Sequence, residues 1–294
     1  MKKPPEHYPD WTRLVVAAWN EGMKNMNPSI VAVAAERIKS QLLINFNGEE
    51  EKPPIIRPSS GLTCPTQSYF IREGAERTPM PDTIQAAFAM GHFAHELAYA
   101  ALKSGLPKGF EADVEIRVDT GFPDDCNQKG TADVVFHRTA EAEEGWLNPD
   151  EPDYILGDLK TMVGFAWRDH KKKSFHEQGI DAWGHLAQLA VYVNSPTLQE
   201  KYPGIEKNGA LLIGVNKESP QMGLAPRRIS PVVLADASKR VAKALETTSW
   251  PGPWLMDNFP EVETAFYCGT AGRKGYCPYS KACKSARATR AANV

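Results

Sequence analysis

The segment that most constrains this chain is residues 154–161, in which three apolar residues lead through a glycine into an Asp-x-Lys sequence. Side chains alternate between the two faces of a strand, so Asp158 and Lys160 project to one face and Leu159 projects to the other. A carboxylate and an ammonium at the end of a buried strand are costly to remove from water. Two interpretations follow: an ordinary ion pair on an edge strand, or a site that a metal ion and a phosphate share.

The strongest helical pattern covers residues 82–102, where small residues form a nearly continuous stripe. This helix contains Gly91 and His95. A glycine within a helix costs about 1 kcal/mol relative to alanine, so Gly91 indicates that another backbone approaches closely.

Two further segments place polar groups in apolar surroundings. Residues 130–136 have the pattern of a strand and contain Asp133, a charge that needs a partner in such a strand. Residues 181–193 form a predicted helix, and the i, i+4 spacing puts Gln188 and Tyr192 on one of its faces.

The remaining pattern predicts a sheet with helices around it. Further helices are predicted at 11–24, at 29–43 with Ser29 as N-cap, and at 234–247; strands are predicted at 111–118 and 210–215, and a linker at 45–57. From residue 82 onward the order is helix, strand, strand, strand, helix, strand, helix, which predicts an α/β fold.

Charge and hydropathy exclude some classes of protein. The net charge of −2 argues against a uniformly basic coat for nucleic acid, although six Lys and Arg residues and no acidic ones follow Glu263. The chain has no run of 18 apolar residues and no apolar core of a signal peptide near its start, so we expect a cytoplasmic protein without membrane contact.

Five cysteines in a chain of this length do not indicate a disulfide framework. In a reducing cytoplasm, clustered cysteines more often bind a metal or a cluster. Cys268, Cys277 and Cys283 lie near the end, Cys64 stands alone, and Cys126 lies in a polar turn between two predicted strands.

Four motifs in this order resemble those of the RecB-like nucleases of the PD-(D/E)XK superfamily. They are Gly91-x-x-x-His95, Gly130-x-x-Asp133, Asp158-x-Lys160 and Gln188-x-x-x-Tyr192. The resemblance covers about residues 59–283 and implies a restriction-endonuclease-like core with a mixed central sheet flanked by helices.

The cysteines resemble the iron–sulfur branch of that family, which holds CRISPR-associated and phage RecB-like exonucleases and AddB-type nuclease domains. Ser60-x-x-x-Cys64 precedes the helical histidine, as in that branch. The spacing departs from it at one place, because eight residues separate Cys268 from Cys277 where the branch usually has two.

For the active site, the resemblance implies a Mg²⁺ or Mn²⁺ ion and DNA as the substrate. Asp133, Asp158 and the carbonyl of Leu159 are oxygen ligands that suit Mg²⁺, and the nitrogen of His95 suits Mn²⁺ at least as well. Lys160 would orient or deprotonate the attacking water and balance phosphate charge. The side chains of Gln188 and Tyr192 would contact the DNA.

For the cysteines, the resemblance implies a [4Fe–4S] cluster held by Cys64, Cys268, Cys277 and Cys283. Four thiolates also suit Zn²⁺, so the ligand types alone do not decide between the two. The expected role is structural, fastening the basic tail across the side where DNA enters. Cys126 is not expected to be a ligand.

These inferences predict three parts: a helical N-terminal extension (1–55), a nuclease core (56–267) and a C-terminal iron–sulfur segment (268–294). The expected function is a metal-dependent DNA exonuclease acting on single strands or duplex ends, in phage or host recombination or repair and with proteins of those pathways as partners. Two alternatives remain: a non-catalytic DNA-binding or adaptor module of the same fold, and a CRISPR adaptation factor.

Overall fold

The computed structural model describes residues 10–46, 56, 64–78, 82–122, 126, 129–142, 145–162, 164–171, 184–217, 223–246, 277 and 279–292. The helices in these ranges are α1 (Trp11–Lys24), α2 (Pro28–Phe46), α3 (Pro65–Arg72), α4 (Asp82–Gly105), α5 (Gly164–Lys171), α6 (His185–Val193), α7 (Pro196–Lys201), α8 (Pro231–Glu246) and α9 (Ser280–Ala292). The strands are β1 (Phe110–Asp119), β2 (Lys129–Arg138), β3 (Tyr154–Met162), β4 (Ala210–Asn216) and β5 (Gly223–Ile229).

The strands form one five-stranded mixed sheet in the order β1-β2-β3-β4-β5. Neighbouring strands are antiparallel except β3 and β4, which are parallel and are joined by a crossover through α5, α6 and α7. The predicted α/β fold with a mixed sheet flanked by helices is therefore confirmed.

Helices cover both faces of the sheet, because adjacent residues of the central strands point into different cores. On one face, Ile155 and Ile213 pack with α1 and α4. On the other, Leu156 and Leu212 pack with α6 and α8. β3 is thus a central strand buried on both faces, and the interpretation of its Asp-x-Lys sequence as an edge-strand ion pair is wrong.

The first helix belongs to this core. Trp11 and Leu14 are fully buried against the sheet, and the Trp11 indole Nε1 donates a hydrogen bond to the carbonyl of Pro152 at 2.9 Å. The expected N-terminal region is helical as predicted, but α1 is not an extension outside the core, because its apolar face completes one side of the sheet.

Two details of the predicted elements differ from the structure. Asn27, and not Ser29, caps α2, since the Asn27 Oδ1 accepts a hydrogen bond from the Ser29 N–H at 2.9 Å. The sequence pattern missed β5, which contains Pro226 and two arginines; an edge strand tolerates such residues because one side of its backbone is unpaired. Among the described residues, no helix is long and apolar enough to cross a membrane.

Candidate active site

The site lies where β2 and β3 separate. Their ladder runs from the pair His137 and Tyr154 to the pair Val134 and Gly157 and then stops. The next opposing positions in this register are Asp133 and Asp158. In place of a ladder bond, the Asp133 Oδ2 accepts a hydrogen bond from the Leu159 N–H at 2.7 Å. The separation of the two strands therefore puts two carboxylates at opposing positions within the sheet.

Asp158 and Lys160 project to one face of β3, as the alternation predicts, and they are in contact. The Lys160 Nζ lies 2.9 Å from the Oδ1 and 2.8 Å from the Oδ2 of Asp158, which is fully buried. Lys160 also donates a hydrogen bond to the Gln188 Oε1 at 2.9 Å. One ammonium therefore links the carboxylate on β3 to the helix that follows it.

Gln188 and Tyr192 lie on one face of α6, as predicted, and continue this network. The Gln188 Nε2 donates to the Tyr192 hydroxyl at 3.3 Å, and both side chains are buried. The Tyr192 ring packs over Gly130, where a β-carbon would lie only 2.9 Å from the ring atom Cε1. A larger side chain at position 130 would therefore collide with the Tyr192 ring, which explains the glycine in the Gly130-x-x-Asp133 motif. Contact of Gln188 and Tyr192 with DNA stays a prediction.

His95 reaches the site from α4. Gly91, one helical turn earlier, lets α4 approach β3, because a β-carbon there would lie 3.3 Å from the Thr161 Oγ1. The close neighbour is a side-chain hydroxyl and not the expected backbone. Burial and, as the second cause, the nearby Lys160 charge lower the pKa of His95 to about 4. His95 is therefore neutral at pH 7, the form in which imidazole binds metals.

The two carboxylates are held at an electrostatic cost. Burial raises the pKa of Asp133 to about 6 and that of Asp158 to about 6, while the charge of Lys160 opposes both shifts. The charge of Asp133 also adds to the rise at Asp158. At neutral pH, two carboxylates share one ammonium, and this excess negative charge would be relieved by a cation.

The donor set fits Mg²⁺ or Mn²⁺. The Leu159 carbonyl projects to the same side of β3 as its N–H, toward Asp133, and the Asp158 Oδ2 receives no well-directed hydrogen bond, although Lys160 lies beside it. Within the described ranges, no three His, Cys, Asp or Glu side chains already converge as a metal-binding group. Because Lys160 contacts both oxygens of Asp158, a cation there would require the two side chains to move apart.

Two residues of this neighbourhood were missed by the sequence analysis. The Tyr99 hydroxyl donates its one proton to the Glu115 Oε1 at 2.9 Å, and burial together with the charge of nearby Asp133 raises the pKa of Tyr99. Tyr99 lies one helical turn after His95, with the two rings edge-on at 6.1 Å. The i, i+4 spacing to His95 was the available signal for Tyr99.

An open groove of about 610 Å³ adjoins this region between α2, α4 and β1. Glu115 and Glu96 line it, and the Arg37 guanidinium crosses from α2 to within 3.8 Å of the Glu96 carboxylate. Glu115 is therefore open to solvent on one side and bonded to the buried Tyr99 on the other.

Two of the segments that contain cysteines, the start of α3 with Cys64 and the segment at Cys277, lie in contact. Cys64 is buried at the start of α3, and the Gln67 Nε2 lies 3.4 Å from the Cys277 Sγ. Burial raises the pKa of the Cys64 thiol, and the nearby Cys277 adds to the rise. Cys283 lies in the first turn of α9, and Cys268 lies outside the described residues.

The beginning of α9 is fixed against α3 by a stacked aromatic pair, Phe70 and Tyr279, whose ring centroids are 6.2 Å apart. Cys126 lies elsewhere, buried in the core beside Ile56, with the Arg72 guanidinium 3.8 Å from its Sγ. The contact of α3 with the C-terminal segment thus joins Cys277 to Gln67, three residues after the buried Cys64, and leaves Cys126 apart.

Comparison with known proteins adds little. No protein-family model matches the chain, and no curated protein matches it. Among solved structures, the crystal structure of SSO0001 is similar at 12% sequence identity and a TM-score of 0.33, covering 73% of this chain and 87% of that chain. A similarity of this size establishes neither a fold nor a function.

Proposed function

We propose that this chain is a metal-dependent DNA exonuclease with a PD-(D/E)XK core, hydrolysing phosphodiester bonds in single strands or at duplex ends. The observation that carries the proposal is the meeting of residues from all four sequence motifs where β2 and β3 separate. The Leu159 N–H donates to Asp133 at 2.7 Å, and the Lys160 ammonium donates to Asp158 and to Gln188 at 2.9 Å each. The charges of Lys160 and Asp158 act on the pKa of His95.

Asp133, Asp158, the Leu159 carbonyl and His95 would hold the cation. When bound, the cation would supply Lewis-acid activation of water and neutralise the charge that develops on the phosphate. The chain's own contribution is to keep these donors in place before DNA arrives. The Leu159 N–H fixes one oxygen of Asp133, and burial keeps His95 neutral and able to bind a metal.

Lys160 would act on the water and the phosphate. In the described arrangement, its ammonium bonds Asp158 on one side and Gln188 on the other. If Asp158 turns toward a cation, Gln188 still holds the ammonium within the site. A positive group held next to the scissile phosphate stabilises charge that grows in the transition state. The main role of Gln188 and Tyr192 would then be to position Lys160, and the predicted contact of their side chains with DNA would be a secondary role.

A [4Fe–4S] cluster on Cys64, Cys268, Cys277 and Cys283 is a second part of the proposal. It is supported by the contact between the start of α3 and the segment at Cys277. Such a cluster would join residues more than 200 positions apart and hold the basic C-terminal segment to the core. We assign it a structural role.

Time-resolved digestion of end-labelled DNA tests the activity. Linear single strands, linear duplexes and circles would be incubated with Mn²⁺, Mg²⁺ or EDTA. We expect linear DNA to shorten from its ends and circles to stay intact. Glu111→Gln, which changes an exposed carboxylate on β1, is the matched control and should cleave like the unmodified protein.

Each other outcome has a defined meaning. Cutting of circles would show an endonuclease and overturn the exonuclease assignment. DNA binding without cleavage under either metal would favour the non-catalytic DNA-binding or adaptor module. Cleavage that continues at an undiminished rate in EDTA would contradict metal dependence.

A further inference from the structure

Helix α5 lies beside Lys160 on the same face of the sheet. Lys160 pairs with Gly214 of β4, and Gly214 pairs with Ala225 of β5, so these three residues form a row across the sheet. Side chains at paired positions project to one face, and a β-carbon on Gly214 would lie 2.5 Å from the Cδ2 of His170 on α5. The His170 ring therefore covers the part of this row that adjoins Lys160.

The edge of the sheet fixes α5 in this position. The His170 Nε2 lies 3.2 Å from the Gly214 nitrogen and 2.7 Å from the Ala225 carbonyl oxygen. Arg227 on β5 donates hydrogen bonds to the carbonyl of His170, at 3.1 Å, and to the carbonyl of Lys171. The guanidinium thus caps the C-terminal end of α5, where a positive charge is favourable. The helix is consequently anchored to both β4 and β5.

Trp167, Arg168 and Lys171 form the outer side of this helix, here named the α5 flank. The Trp167 ring is partly exposed and packs over β5, where a β-carbon on Gly223 would lie 3.3 Å from its Cζ2. Lys171, one turn later, is exposed, and its Nζ lies 5.3 Å from the centre of the Trp167 ring. Arg168 is exposed three residues before Lys171. Because an ammonium is attracted to the face of an indole, Trp167 holds the Lys171 charge at this surface.

The charge and position of the α5 flank suit a DNA strand that passes Lys160. Neighbouring strands lie about 4.8 Å apart, so β5 is about 10 Å from β3, a distance that a few nucleotides span. Together, α5 and Lys217 carry three basic side chains and one acidic one, Asp169. Lys217 follows β4, and its N–H donates to the Met162 carbonyl at the end of β3, at 3.2 Å. Positive charge therefore continues from Lys160 toward the edge of the sheet.

We propose that the α5 flank binds phosphates of the DNA strand on one side of the scissile phosphate. Lys171 and Arg168 contact these phosphates, and Trp167 positions Lys171. The proposal rests on the proposed function, because it takes DNA as the ligand and places the scissile phosphate at Lys160. It assigns strand binding to residues that none of the four motifs contains.

Binding of a labelled single-stranded oligonucleotide in EDTA, measured by fluorescence anisotropy over a range of salt concentrations, tests this role without cleavage. Each phosphate contact contributes about 0.7 to the slope of log affinity against log salt concentration on single-stranded DNA. We expect Lys171→Gln and Arg168→Gln each to lower this slope by about 0.7, and Lys171→Arg to preserve it. Lys207→Gln is the matched control, because Lys207 is exposed and lies before β4, at the opposite end of that strand; its slope should be unchanged.

Trp167→Leu, alone and combined with Lys171→Gln, tests the positioning role. Because Trp167 acts through Lys171, the double variant should bind DNA as tightly as Lys171→Gln. Further weakening in the double variant would contradict this role. If Trp167→Leu does not fold by circular dichroism, the lysine and arginine variants decide the question.

The failure of this proposal differs from the failure of the proposed function. An unchanged salt slope in Lys171→Gln would overturn the α5 flank as a phosphate-binding surface, and cleavage by the unmodified protein would still support the proposed function. An unmodified protein that neither binds nor cleaves linear DNA would overturn both.

Discussion

Asp133→Asn should make the metal-free protein more stable at neutral pH while removing its function. Burial raises the pKa of Asp133 from 3.8 to about 6, so the folded protein resists ionisation of this carboxyl. Asparagine has nearly the same shape and keeps an oxygen that can accept the hydrogen bond from the Leu159 N–H, but it carries no charge. The substitution therefore removes the free-energy cost of ionising a buried carboxyl and keeps the hydrogen bond from the Leu159 N–H.

The sign and the pH range follow from the pKa shift. Below about pH 4, the carboxyl is protonated in both the folded and the unfolded chain, and it carries no penalty. Between about pH 4 and 6, the unfolded chain ionises first, so the free energy of unfolding falls as pH rises. Above about pH 6 the full penalty applies. The advantage of Asp133→Asn should therefore be absent at about pH 4 and complete at about pH 7.

The rise in the pKa of Asp133 from 3.8 to about 6 corresponds to at most about 3 kcal/mol. Because Asp133 retains some exposure to solvent, we expect a gain of about 1–3 kcal/mol, or about 2–10 °C in the melting temperature. Circular dichroism melts in EDTA at several pH values measure it, with Glu111→Gln as the control. A variant that is less stable than the unmodified protein at pH 7, or a gain that does not depend on pH, would refute the reasoning. Added Mn²⁺ should reverse the order, since a ligand stabilises only the protein that binds it.

Three further predictions have distinct expected outcomes. Lys160→Ala should bind Mn²⁺ and DNA but lose turnover, because its proposed role lies in the transition state; single-turnover kinetics check this, and lost DNA affinity with normal turnover at saturating DNA would contradict it. Anaerobically purified protein should be brown with about four iron and four sulfide per chain, and alanine at Cys64, Cys277 or Cys283 should bleach and destabilise it, whereas Cys126→Ala should do neither. If Cys268→Ala retains full iron, another residue completes the cluster, and stoichiometric zinc without sulfide would exclude iron–sulfur. Gly130→Ala would place a β-carbon 2.9 Å from the Tyr192 ring and should cost about 1–3 kcal/mol in urea unfolding; an unchanged midpoint would show that the ring yields without cost.

Much of the central fold is readable from local patterns. The helix predicted at 11–24 has the bounds of α1, and the alternation in residues 154–161 places Asp158 and Lys160 on one face of β3, where they are in contact. These features depend on side-chain periodicity, which is written in the sequence itself. Periodicity shows that a helix has an apolar face but not which surface this face packs against, so the packing of α1 into the core was not predicted.

The parts of the site that escaped prediction depend on register and backbone conformation. Glu115 lies opposite Asp133 only because of the pairing between β1 and β2, and its φ of 55° is a backbone conformation that no periodic pattern in the sequence indicates. β5 contains Pro226, Arg227 and Arg228 in place of an apolar alternation. Neither a strand register nor an edge strand of this composition leaves a periodic signal that sequence reasoning can use.

The most direct test of the account is the rate of DNA cleavage by Asp158→Ala and Asp133→Ala at saturating Mn²⁺, compared with the unmodified protein. Both variants should be folded by circular dichroism and should release no labelled nucleotide, because each loses a carboxylate that holds the cation. His95→Ala should retain at most a trace of activity. If either aspartate variant cleaves DNA at the rate of the unmodified protein, the site at the separation of β2 and β3 is not the active site.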